Sequence, residues 1–212
     1  MHQHFNHAAL MQMEQRFRAA FINSLSGFKS INLLGSKNIQ GQSNLAIFNS
    51  VMHIGANPPL MGIIVRPDSV ERHSYENICE TGFYTLNHIH KNIYRQAHQS
   101  AARYPRDISE FNACGLTEEY KAEFFAPFVK ESNLQIALQL KETIKIQSNN
   151  TILLIGEIQH IFLPATAVQK DGFIDLECIG SLAGSGLDAY HQTNKLARLS
   201  YAKPNQEPQN IE

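Results

Sequence analysis

Arg66, Arg72, His73 and Ser74 carry the clearest chemical signal in this chain. They fall between the end of an apolar run, Leu60 to Val65, and a helix-like segment that closes at Gly82. Free N–H groups at a helix N-terminus point outward, and the helix dipole makes that end positive. Arginine adds a planar fork of donors suited to phosphate. The stretch reads as a phosphate-binding corner beside apolar strands. It suits a ligand with a phosphate and a large flat apolar part. Isoalloxazine and pyridoxal both answer that description, and spacing does not choose between them. Two surface arginines taken alone equally fit salt bridges with Asp68, Glu71 or Glu76. Ser74 reads as the N-cap of the helix it opens, a role compatible with phosphate binding.

The elements that must position this corner lie on both sides of it. Asn44 to Ile54 reads as one long strand covered on both faces, with Asn49 and Ser50 embedded. Asn57, Pro58 and Pro59 make the turn into Leu60 to Val65, since proline donates no ladder hydrogen bond. Phe83 to Leu86 is a third apolar run. Leu134, Ile136, Leu138, Leu140, Ile144 and Ile146 fall on alternate positions, the signature of a strand. The loop 147–150 returns that strand into Thr151 to Phe162, giving a long antiparallel hairpin. Lys29 to Leu34 is a shorter strand. Many strands and few helices predict a mainly β protein, a barrel or sandwich with helical additions.

Outside that frame, Leu10, Met13, Phe17, Phe21 and Leu25 recur at helical spacing, predicting one amphipathic helix broken at Gly27. Residues 91–130 begin as a helix and continue as an excursion of short turns. His2, His4 and His7 read as solvated, and His88 and His90 as solvated or hydrogen-bonded rather than as metal ligands. The expected organisation is an N-terminal helical extension (1–27), a barrel domain (28–203) and a polar tail (204–212) whose composition predicts disorder.

Composition narrows the field. The chain has 212 residues, enough for a sizeable core. Its net charge of −1 gives no nucleic-acid or membrane signal. Charged residues make up 17%, below the usual ~25%, which hints at covered surface such as a dimer interface. Cys79, Cys114 and Cys178 are odd in number and form no CxxC pair, so reduced thiols in a cytoplasmic protein are expected. No run approaches the ~18 apolar residues of a membrane span. The chain contains no P-loop, no GxGxxG after a strand, no GxSxG elbow, no HExxH and no Cys/His zinc spacing. Kinase, hydrolase and Rossmann readings lose support accordingly.

The order of motifs adds a resemblance. NLAIFNSVMHIGANPPLMGIIVRP, followed by RHSYENICETGFYTLNHI, resembles the flavin reductase-like family with the FMN-binding split barrel. Ser74 to Asn87 is similar to that family's segment of Ser/Thr, Asn-Ile, Thr-Gly, Phe and Asn. Glu110, Phe111, Gly115 and Leu116 are similar to its Glu-Phe-x-x-x-Gly-Leu element. The resemblance implies a Greek-key split barrel that forms a homodimer, with FMN near the subunit interface. It implies FMN contacts from Asn44, Leu45, Ala46 and Ile47, with Ser50 further along the same run, and phosphate contacts from Arg66, Arg72, His73 and Ser74. It implies hydride transfer from NADH or NADPH to the flavin, chemistry that the cofactor carries and that needs no protein acid or base. Backbone N–H groups of Leu45 to Ile47 would face the pyrimidine end, where negative charge grows. His98 lies near the family region associated with nicotinamide contact; a solvated helix histidine is its competing reading. An oxygenase partner that consumes reduced flavin is compatible with this chemistry. A non-enzymatic FMN electron carrier and a pyridoxamine-phosphate-oxidase-like enzyme are the alternatives. Residues 183–191 depart from the family's Arg-x-Gly-Gly-x-x-Tyr-like segment by lacking the arginine.

Overall fold

The computed structural model describes residues 1–67 and 69–211. Two short helices, α1 (His7–Gln12) and α2 (Gln15–Leu25), precede β1 (Lys29–Ser30), β2 (Asn32–Lys37) and β3 (Ser43–Phe48). Next come β4 (Met52–Ala56), β5 (Pro59–Val65), α3 (His73–Thr81) and β6 (Phe83–His88). The excursion holds α4 (Tyr94–Gln99), α5 (Glu110–Cys114), β7 (Glu118–Glu119) and β8 (Phe128–Val129). The long hairpin is β9 (Gln135–Lys145) and β10 (Ile152–Phe162); β11 (Leu182–Ser185) and β12 (Ala189–Gln192) follow. Seven antiparallel strands form one sheet in the order β3-β2-β6-β9-β10-β5-β4, and β1, β11 and β12 form a smaller one. The fold is mainly β with few helices, in the split-barrel architecture.

Period-two alternation explains how this sheet builds two cores at once. On β2, Leu34 packs inside with Ile63, Tyr84, Leu86, Ile136, Leu138 and Leu154. Its neighbour Leu33 points the other way, into a cluster with Leu45, Ile89, Ile93, Phe111 and Leu182 that the excursion and the small sheet complete. A strand covered on both faces loses its alternation of polar residues, which is why NLLGSK reads as weakly patterned. The close approach between layers leaves no room for side chains at Gly35, where a Cβ would stand 2.2 Å from the Pro127 carbonyl oxygen.

Several sequence expectations change. The run from Asn44 to Ile54 is two strands, not one. Ser50 breaks it: its hydroxyl donates to the Ile64 carbonyl at 2.9 Å and accepts the Ile64 N–H at 3.2 Å. That side chain takes a ladder partner's place and ties the end of β3 to β5 while the chain crosses to the far edge of the sheet. The N-terminal helix is also two helices. Glu14 starts the second by accepting from Arg16 and Phe17 N–H groups, and no residue of either helix is buried. Ser74 is not the N-cap of α3. Arg72 holds that position, its N–H donating to Glu76 Oε1 at 2.9 Å, and Gly82 ends the helix with φ 78° as expected. The polar tail folds back as a hairpin through bridges Leu199 to Asn210 and Lys203 to Gln206. No helix among the described residues is long and apolar enough to cross a membrane.

Candidate functional site

A cleft of about 830 Å³ opens where β3, the start of α3, the segment after α4 and the β11–β12 turn converge. Asn44, Ala46, Ile47, Ser50, Arg66, Arg72, His73, Ser74 and His98 all line it. Leu45 does not. Its side chain is fully buried in the outer core, and its N–H donates to Glu110 Oε2 at 3.0 Å.

That bond fixes the polarity of β3. The strand is the end strand of the large sheet, so only one of its edges is paired. In an antiparallel ladder, residues alternate between bonding the partner and facing away from it. Leu45 sits opposite Gly35 yet gives its N–H to Glu110, so the odd-numbered residues face away from β2. Ile47, opposite Leu33, shares that parity. Its N–H and carbonyl therefore face the open edge while its side chain packs against the outer core. Of the three backbone amides expected at the ligand's ring, Leu45 is taken, Ala46 belongs to the ladder, and Ile47 is available.

The anion corner stands across the cleft. α3 begins with no side chain capping its N-terminus, and the amides of His73 and Ser74 come too early in the helix to reach an intrahelical carbonyl. Arg66 and Arg103 lie close enough for their charges to act on Arg72. Burial, and then the charges of Arg66 and Arg103, pull the Arg72 guanidinium below its ordinary value. The salt bridges expected for Arg66 and Arg72 are absent among the described residues, Asp68 lying outside them. Glu71 instead faces His73 at 3.7 Å, and Glu76 pairs with Arg106. Arg72 Nε makes one long bond, to the Pro67 carbonyl at 3.4 Å.

The opposite wall is aromatic. His98 on α4 has Nδ1 2.9 Å from the Tyr190 hydroxyl on β12, and the Tyr190 ring packs on Tyr94 with centroids 5.5 Å apart. Burial first, then the nearby Asp188 charge, raises the Tyr190 hydroxyl above its usual value. His98 is thus held by a partner rather than freely solvated. His88 and His90, further along, bond to the Ser181 hydroxyl and the Glu131 carbonyl.

Sequence reasoning missed Arg103, Tyr190 and the side chain of Glu110. Each reaches the cleft from an element distant in the chain, so no local spacing links them to Asn44 or Ser74. Glu110 had a signal, its place in the Glu-Phe element, but nothing local marks it as buried beneath β3. A phosphate-bearing flat ligand fits what is present: guanidiniums with no ion pair among the described residues and helix amides at one end, an available strand amide and apolar side chains along the other.

A family model described as Flavin reductase like domain matches residues 29–175. A solved structure from Shewanella frigidimarina NCIMB 400, provisionally named a flavin reductase with split barrel domain, is 54% identical and superposes with a TM-score of 0.92, covering 95% of this chain and all of that one. Nitrilotriacetate monooxygenase component B from Bacillus cereus is 20% identical with a TM-score of 0.82, covering 94% of this chain and 99% of that one, a likeness of fold. An uncharacterised protein of Halalkalibacterium halodurans is 27% identical over 179 residues, 80% of this chain and 85% of that protein.

Proposed function

Because this chain belongs to the flavin reductase like domain family, we propose that it is an FMN-dependent oxidoreductase that takes hydride from NADH or NADPH. The observation that carries this reading is the pairing, across one cleft, of three arginines at an open helix N-terminus with an outward-facing strand edge. When bound, FMN supplies the hydride-accepting ring. Arg66, Arg72, Arg103 and the first amides of α3 hold its phosphate. The Ile47 N–H faces the pyrimidine end, where a fixed donor stabilises negative charge as it develops. The aromatic wall of His98 and Tyr190 is where the nicotinamide would pack, with His98 oriented by its bond to Tyr190.

A homodimer with the flavin near its interface fits the apolar residues left exposed on α2 and β4, among them Phe17, Leu25, Met52 and Ile54. An oxygenase partner is a reading suggested by the relative that is itself a monooxygenase component. The three free cysteines suit a cytoplasmic setting. The test is a visible spectrum after FMN addition and desalting, followed by anaerobic NADH and then NADPH. Retained flavin that bleaches, or turnover of free FMN, supports the reductase reading and reveals the donor. Retained flavin that bleaches with neither donor makes the protein an electron carrier. Neither retention nor turnover refutes the reading.

A further inference from the structure

Glu110 is a carboxyl group in an unexpected place. It is 6% exposed, lines the cleft, and stands near a corner built to attract anions. Among the described residues no lysine or arginine pairs with it. Oε2 instead gathers the Leu45 N–H at 3.0 Å and the Asn44 amide. With its nitrogen turned to Glu110 at 3.2 Å, Asn44 accepts the Ser74 hydroxyl on its carbonyl oxygen at 2.8 Å. The reverse orientation would set the amide oxygen against a carboxylate. A single hydrogen-bond chain therefore runs from α5 through β3 to the second residue of α3: Glu110, Asn44, Ser74.

Such a chain has a direction. An ionised carboxylate only accepts. Asn44 must then give its N–H to Glu110 and take the Ser74 proton on its oxygen, leaving Ser74 with lone pairs toward the cleft, which oppose a phosphate. A protonated Glu110 has one O–H to donate. Asn44 then turns its oxygen to that O–H and its nitrogen to Ser74, and the freed Ser74 O–H points at the anion. We propose that Glu110 is the positioning residue of the anion corner, setting through Asn44 whether the Ser74 hydroxyl offers a proton or a lone pair to the ligand's phosphate. Binding of the phosphate and uptake of one proton from solvent by Glu110 are then linked. Burial raises the Glu110 carboxyl above its ordinary value, while the Leu45 N–H and His73 oppose that rise. The other ionisable groups around it are His73, Arg72 and Glu71 before and within α3, Arg103 and Tyr104 on the segment after α4, and Cys114 on its own helix.

The inference rests on the FMN reading and is tested by FMN titrations across pH, with riboflavin as the ligand that lacks the phosphate. In the unaltered protein, FMN affinity falls as pH rises through the Glu110 value, by at most tenfold per pH unit for one linked proton. Glu110→Gln and Ser74→Ala lose that slope; His73→Gln keeps it. The phosphate's own ionisation is common to all proteins and cancels in the ratio to the unaltered one. Ser74→Ala removes only a hydroxyl at the cleft-lining start of α3 and serves where Glu110→Gln does not fold. A slope kept by Ser74→Ala or Glu110→Gln, lost with His73→Gln, or seen equally with riboflavin overturns the proposal alone. Failure of the unaltered protein to bind FMN overturns the proposal together with the cofactor reading.

Discussion

Arg72→Ala separates ligand binding from folding more sharply than any other change at this site. In the folded protein the Arg72 side chain contributes little: one 3.4 Å bond from Nε to the Pro67 carbonyl and no ion pair among the described residues. Its N–H bond to Glu76, which holds the start of α3, belongs to the backbone and survives the substitution. Removing its charge also relieves the repulsion from Arg66 and Arg103. The expected cost to stability is under ~1 kcal/mol, a neutral-range hydrogen bond at poor length. Toward a phosphate the balance is different. A charge-assisted bond is worth about 1.5–3 kcal/mol, so FMN affinity falls by roughly 10- to 150-fold. Quenching of flavin fluorescence gives the affinity, and a urea titration gives the stability. The salt dependence of FMN binding should flatten as well, since one phosphate contact is gone. Unchanged FMN affinity in a folded variant would refute the assignment. A loss of stability as large as the loss of affinity would show that Arg72 holds the corner together instead.

Other positions give independent checks. Gly35→Ala drives a methyl into the Pro127 carbonyl and the Thr85 hydroxyl, at 2.2 and 2.7 Å; overpacking against backbone costs about 3 kcal/mol, read as a fall in Tm of roughly 6–12 °C. Ile47→Pro deletes an amide that faces away from β2, where an edge strand tolerates proline; FMN should still bind, with a lower flavin reduction potential in a redox titration, and an unchanged potential would remove Ile47 from the ring contact. His88 is neutral in the fold, burial lowering it to about 4. The unfolded chain takes up a proton at about 6.5 and the native one does not, so stability falls as pH drops through that window, by about 2 kcal/mol between pH 7.5 and pH 5. His88→Asn should flatten that dependence in urea titrations, and an identical pH profile would reassign it.

How much of this was legible in the sequence depended on whether the cause was local. The alternation from Leu134 to Ile146 marks a strand, and β9 appears there, although its first half is buried on both faces, Gln135 and Ala137 included, and its far half is exposed. Arg66, Arg72, His73 and Ser74 were readable as one cluster because they are near neighbours in the chain, and all four line the cleft, whereas Arg103 comes from the segment after α4. The break at Ser50 was not, because its cause is a hydroxyl bonding to Ile64 on another strand. The start of α3 was misplaced by two residues from Arg72 because Ser74 is a good cap by type, yet its hydroxyl is engaged with Asn44. Glu14, a single carboxylate at an exposed turn, divided a helix whose apolar spacing runs through it. The exclusion of Leu45 from the cleft was not legible, because the carboxylate that takes its N–H is Glu110 on α5, distant in the chain.

The small sheet joins parts of the molecule that are otherwise unrelated. β1 pairs with β11, Lys29 opposite Gly184, and β1 continues covalently from α2. The turn between β11 and β12 forms the cleft's rim, where Asn49 holds the Gly186 carbonyl. A methyl at Gly186 would lie 3.1 Å from the Ser24 hydroxyl of α2. The N-terminal arm and the rim are therefore in series, like a handle fixed to a door. α2 also reaches the cleft directly, through Asn23, and its Ser24 stands behind the rim at Gly186. The arm is thus part of the cleft's wall rather than an appendage of the barrel.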